Sequence, residues 1–263
     1  MKPGPLPKRN FSILILALLL FGVSSPLPAD ENPLELRQRL HNEVVGQRVF
    51  TYKEVWNALV VLDAVPGKNG VIRLLYTRRE QSVERRDQGQ NDPDSWNREH
   101  LWPKSHGFPE EENPAYTDLN NLRPADRSVN TNRSDRDFDD GGAPHKEAPG
   151  VRFDGDSWEV PDEVKGDVAR AIFYMALRYD GSGSWKDRKG KLHSEPRLVI
   201  VEGDSPETRD PLFGHLSALL RWNRLDPPDE NERRRDEGVA ALQGRHNPFV
   251  TNPEYIDALW GVR

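Results

Sequence analysis

The stretch "WNREHLWPKSHGF", residues 96–108, holds one carboxylate (Glu99), two imidazoles (His100, His106), two cations (Arg98, Lys104) and two indoles. Glu99 and His100 are adjacent. A carboxylate offers a hard oxygen ligand to a divalent ion, and an imidazole can serve as a general base. Neighbouring residues on a strand point to opposite faces, but at a strand end or a bulge both can reach one cleft. A Glu-His dipeptide alone carries little, so its meaning depends on what else the chain supplies.

A second stretch supplies it. In "DLNNLRPADRSVNTNRSDRDF", residues 118–138, Pro124 suits a first helical turn, and the following residues can run as a short helix carrying Arg127, Asn130, Arg133 and Ser134. Asn130 and Arg133, three apart, would share a side. An amide oxygen is a hard neutral ligand, and a guanidinium grips phosphate oxygens in pairs. Carboxylate, imidazole, amide and arginine together match metal-assisted cleavage of a phosphodiester.

These residues need a frame. Residues 32–65 read as two helices, the second opened by Thr51 with Glu54 three positions on, a capping-box pattern. "PGKNG" breaks the helix, "VIRLLYT" alternates like a strand, and "RREQSVERRDQGQNDPDS" reads as a solvated loop. "NREHLW" is a strand candidate. "VKGDVARAIFYMALRY" has Val164, Val168, Ala171, Ile172, Met175 and Tyr179 spaced for one buried face, and "PLFGHLSALLRWNRL" and "ENERRRDEGVAALQGR" form a further helix pair. Helices dominate and strands are few, so the expected class is α+β: a mostly helical single domain with a small hairpin set among helices.

Composition narrows the chemistry. The first residues have the form of an export signal: Lys2, Lys8 and Arg9, then "FSILILALLLFGV", then small residues before Asp30. Residues 1–29 are therefore read as a signal peptide and 30–263 as the functional domain. The apolar run is shorter than the ~20 residues of a spanning helix, so no membrane segment is expected after signal removal. There is no cysteine, which leaves oxygen and nitrogen ligands and favours Mg²⁺, Mn²⁺ or Ca²⁺. The net charge is −6 and falls to about −9 without the signal, so a nucleic acid would have to meet a local basic patch.

The blocks "WNREHLWPKSHGF", "DLNNLRPADRSVNTNR", "AIFYMALRY", "LLRWNRLDPPDENERRRDE" and "QGRHNPFVTNPEYIDALW" resemble, in order and interval, those of the endonuclease I family of secreted or periplasmic nucleases. The resemblance runs from about Tyr52 to Trp260. It implies a ββα-metal (His-Me finger) core, with His100 as general base and Glu99 and Asn130 as side-chain ligands of one Mg²⁺ ion. Arg123 and Arg133 become candidate phosphate contacts. The implied activity is metal-dependent endonucleolytic cleavage of DNA, with RNA left open as a further substrate, with little sequence specificity and 5′-phosphate ends, by an exported monomer. A hydrolase of small phosphodiesters and a non-catalytic nucleic-acid-binding protein are the alternatives. With an ordinary histidine pKa of about 6.5, His100 would lose activity below that pH unless its surroundings shift it. The chain departs from the family at Asn120, where many relatives carry histidine, and at Arg245 and His246. Asn120 then becomes a candidate hydrogen-bond partner behind the site.

The remaining candidates have plainer readings. His106 is expected to face solvent, and His145 has no patterned partner for a second ion. Trp96 and Trp102 are expected to pack around the hairpin, and Trp222 and Trp260 in the core. The acids of "RSDRDFDDGG" lack the closing glutamate of a calcium loop, and the charges of "NERRRDE" can pair within their own helix.

Overall fold

The computed structural model describes residues 31–261 apart from 91 and 206–208; the expected signal, residues 1–29, lies outside them. Helix α1 (Pro33–Val44) begins where Asn32 and Glu35 cap each other's backbone, and α2 (Tyr52–Leu62) begins on the Thr51–Glu54 box expected from sequence. Strands β1 (Val71–Arg73) and β2 (Glu80–Ser82) form an antiparallel pair. The polar stretch expected to be a loop therefore supplies a strand. It is pinned as well as paired: Gln81 donates to the Asp94 carbonyl at 2.6 Å, Arg79 reaches Asp126, and Arg127 meets Asp87 at 3.0 Å.

The central feature is a hairpin, β3 (Trp96–His100) against β4 (Leu122–Asp126), followed directly by helix α3 (Arg127–Arg133). Its register is unbroken from Trp96↔Asp126 to His100↔Leu122. Pro124 lies inside β4, opposite Arg98, and not in the first turn of a helix. Its carbonyl accepts from Leu75 N at 2.8 Å, and helix formation waits until Arg127 because the preceding residues are held in the ladder.

Beyond α3, short strands β5 (Asp137–Phe138), β6 (Ala143–Pro144), β7 (Arg152–Phe153) and β8 (Ser157–Glu159) form a sheet in the order β5-β8-β7-β6. Helix α4 (Lys165–Arg178) crosses the interior, and every described position from Val168 to Arg178 is buried. The one-face periodicity understated this, because Arg170 is buried too, its charge met by Glu232 at 2.5–2.8 Å. A Cβ at Gly166 would lie 1.8 Å from the Asp226 carbonyl, so only glycine lets α4 approach the end of α5 (Leu216–Leu225).

Helix α6 (Glu230–Gln243) stops at Gly244, whose φ of +87° suits a left-handed cap. Its charges do not pair within the helix as expected: Arg235 is buried on Asp63 and the Leu122 carbonyl, and Glu232 on Arg170. Trp96, Trp102 and Trp222 are fully buried, and Trp260 packs half-buried on Phe173. The class is α+β, with small sheets among helices. Among the described residues no helix is long and apolar enough to cross a membrane.

Candidate active site

Regular pairing along β3 decides which side chains meet. Trp96, Arg98 and His100 alternate with Asn97 and Glu99, and no bulge interrupts the alternation. Asn97 and Glu99 turn toward α3. There Asn130 Nδ2 donates to Asn97 Oδ1 at 2.7 Å, and Arg133 Nη1 donates to Glu99 Oε1 at 3.1 Å. Asn130 and Arg133 thus share a helix side, as their spacing required, and straddle two strand positions that are about 7 Å apart.

Glu99 is buried, and the Tyr76 hydroxyl donates to the same Oε1 at 2.5 Å. Burial raises its pKa above the usual carboxylate value, opposed by the Arg133 charge and the Tyr76 bond. Arg133 is fully buried and also donates to the carbonyls of His100 (3.0 Å) and Leu101 (2.9 Å). Its guanidinium is committed to fixing the end of β3.

His100 faces the other way. Its ring lies against Tyr116 (4.8 Å between centroids), Tyr52 (5.9 Å) and Phe108 (6.5 Å). Nε2 lies 2.9 Å from the Tyr116 carbonyl. A carbonyl only accepts, so Nε2 carries the proton and Nδ1 carries the lone pair. Burial pushes the pKa down to about 3, and the neighbouring Lys104, Arg98 and Arg133 charges push the same way. The acid limb expected near the ordinary histidine value is therefore displaced far downward, and the imidazole is neutral across the physiological range.

The match to known sequences follows the same ground. The family model described as Endonuclease I matches residues 33–254, which include the whole hairpin, α3 and the helices around them. This chain belongs to the endonuclease I family. One relative, named extracellular ribonuclease, from Bacillus amyloliquefaciens, is 41% identical over 227 residues, covering 86% of this chain and 73% of its own length. Another of the same name, from Bacillus subtilis (strain 168), is 42% identical over 227 residues, covering 86% and 74%. Membership makes the protein a nuclease, an enzyme hydrolysing nucleic acid.

Within this endonuclease I chain, the residues proposed from sequence separate into three places. Glu99 and Arg133 are in contact, Asn130 is on Asn97 two residues along the strand, and His100 is on the opposite face of the same strand. Arg123 stands opposite Glu99 across the hairpin, but its guanidinium ends in a separate buried ionic group with Asp63 (3.5 Å) and Asp167 (3.6 Å). Asn120 bonds to Asp118 and to none of the residues singled out for catalysis.

Whether an ion suits the α3 side turns on donor chemistry. Glu99 offers a carboxylate and Asn130 an amide oxygen, both hard donors on facing elements. Among the described residues no group of three or more His, Cys, Asp or Glu side chains could hold a metal. A two-ligand oxygen set fits an ion that keeps most of its water, as Mg²⁺ does.

Sequence reasoning missed Tyr76, Asn97 and the Tyr116 carbonyl. Tyr76 is 23 residues from Glu99, with no shared motif, and a backbone acceptor leaves no trace in residue type. Asn97 could have been found, since it is two before Glu99 on a strand. His106 was expected in solvent but is buried, with Nδ1 2.9 Å from the Leu212 carbonyl. His145 Nδ1 accepts from the backbone of Glu147 and Ala148, which accounts for it locally. Asp140, one of the acids of "RSDRDFDDGG", accepts from Arg221 and from the Trp222 indole.

Proposed function

We propose that this protein is an exported, metal-dependent endonuclease that hydrolyses phosphodiester bonds in RNA, with DNA as a second substrate, through a ββα-metal centre built on β3, β4 and α3. The observation that carries the reading is the His100–Tyr116 bond, which leaves a neutral imidazole with a free base nitrogen. The names of the two Bacillus relatives favour RNA and an extracellular site of action, and the two-ligand oxygen set favours Mg²⁺, with Mn²⁺ or Ca²⁺ as substitutes.

In this reading Glu99 and Asn130 would hold the ion on the α3 side of β3, and His100, the last residue of the strand, would reach the same phosphate around the strand end. When bound, the ion offsets charge on the phosphate and on the departing oxygen. His100 Nδ1 takes a proton from water, the water oxygen bonds to phosphorus, and the bond from phosphorus to the 3′ oxygen breaks. The 3′ oxygen takes a proton from solvent, leaving a 3′-hydroxyl and a 5′-phosphate. Arg133 holds Glu99 and the end of β3 in place. Little sequence specificity is expected, because phosphate contacts carry affinity without base information.

The test is cleavage of a structured RNA and of plasmid DNA by the mature protein, with Mg²⁺ and with chelator, beside His100→Ala. The wild type should cut only with metal, and the variant should lose about 10²–10⁴-fold in rate. Undiminished cleavage by His100→Ala would remove the base assignment. Turnover of a small phosphodiester without any polymer cleavage would favour the small-substrate alternative.

A further inference from the structure

Three arginines stand close to the proposed chemistry, and two of them are already spent. Arg133 is fully buried on Glu99 and two carbonyls, and Arg123 is buried between Asp63 and Asp167. Neither presents a free guanidinium edge to a phosphate. Both were the candidates that family resemblance supplied, so the substrate's anion needs another partner.

Arg98 has the properties they lack. It lies two residues before His100 on the same face of β3, about 7 Å along the strand. Its guanidinium carbon stands 3.3 Å from the centroid of Tyr52 and 4.2 Å from that of Trp56. One Nη group donates to the Tyr52 carbonyl. Its Nε is buried without a hydrogen-bond partner. Arg123 and Arg133 also carry an unpartnered Nε, but each of those guanidiniums ends on carboxylates, whereas no carboxylate lies within ion-pair distance of Arg98 among the described residues. Glu111 and Asp87 are the acids near enough to act on it, and only through space.

A second cation shares this face. Lys104 is exposed, and its Nζ is 2.9 Å from the Tyr116 hydroxyl, on the residue whose carbonyl orients His100. Arg98 and Lys104 therefore flank the imidazole through two tyrosines in contact with one another, Tyr52 and Tyr116, at 4.8 Å. An arginine stacked between two aromatic rings is already ordered, so little rotamer freedom is lost when an anion arrives. The chain as a whole is acidic, yet among the described residues neither Arg98 nor Lys104 has a carboxylate within ion-pair distance.

We infer that Arg98 and Lys104 form the seat for a backbone phosphate of the nucleic-acid substrate on the His100 face of β3, with Arg98 as the principal contact. This rests on the nuclease reading above. The seat binds phosphate and reads no base.

The test measures RNA cleavage kinetics and, in chelator with His100→Ala as the parent, RNA binding by anisotropy across a salt series. Adding Arg98→Ala should weaken binding about 10-fold and flatten the slope of log K against log salt by about 0.7, the share of one phosphate contact on a single strand. Arg98→Lys should restore the slope but not the full affinity, and Lys104→Ala, an exposed change that spares the fold, should flatten the slope again. In the His100 enzyme, both alanine changes should act mainly on KM. A wild type that cuts RNA while Arg98→Ala and Lys104→Ala keep its KM and salt slope would overturn the seat and leave the nuclease reading intact. A wild type that cuts neither RNA nor DNA with any divalent metal would overturn both.

Discussion

The two faces of β3 use the same residue types for opposite purposes. On the α3 side, Arg133 is sealed from water, bonded to Glu99 and to the carbonyls that end the strand. On the other side, Arg98 is half-buried between Tyr52 and Trp56 with no carboxylate within ion-pair distance among the described residues. One arginine stabilises the frame and the other is left available. The difference teaches that an arginine near an active site must be sorted by its acceptors before it is given a role in binding.

The largest effect expected from breaking this comparison is at Arg133. Arg133→Met removes the partner of a buried carboxylate, which typically costs about 3–5 kcal/mol. The matched change Arg98→Met forfeits mainly a cation–aromatic contact, worth about 1–2 kcal/mol. Urea unfolding of the two variants checks the ordering. Equal losses would mean that Arg98 is as structural as Arg133.

Next is Tyr76→Phe, which deletes one of the two donors on Glu99 Oε1. A hydrogen bond to a charged group contributes about 1.5–3 kcal/mol, so a loss of that order is expected by the same unfolding measurement. An unchanged midpoint would show that Arg133 alone holds the carboxylate.

The smallest effect is at a half-exposed histidine just past the end of α6. His246 donates to Asp236 at 2.7 Å, a bond that raises its pKa above the ordinary histidine value. A group whose folded pKa is raised adds stability that is complete below its unfolded pKa of about 6.5 and is lost as pH climbs through the folded value. That exposure lets solvent screening keep the contribution small. The stability difference between wild type and His246→Gln should therefore be largest near pH 5 and shrink toward pH 8. A difference that grows with pH would contradict the pairing.

Much of this frame was legible in residue order. Glu99 and His100 stood out by type and the Asn130–Arg133 side by helical geometry, whereas the short helix was expected to open at Pro124 and opens at Arg127. Sequence left open that a bulge or strand end would bring Glu99 and His100 into one cleft; the register has no bulge, and the two side chains leave β3 on opposite faces. The partners that give those residues their states were not legible. Tyr76 arrives from another strand's turn, and the Tyr116 carbonyl has no signature. Nothing in "VNTNRSDR" says which arginine the core takes in. The polar run at residues 78–95 misled for the same reason, because its strand is held by backbone and carboxyl groups outside it.

The most direct test of the central claim is the protonation state of His100 itself, read from the ¹⁵N shifts of its imidazole in the folded protein. The account predicts a neutral ring protonated at Nε2, with Nδ1 bare, from pH 8 down to at least pH 5. A ring protonated at Nδ1, or one that becomes a cation near the ordinary histidine pKa, would contradict it.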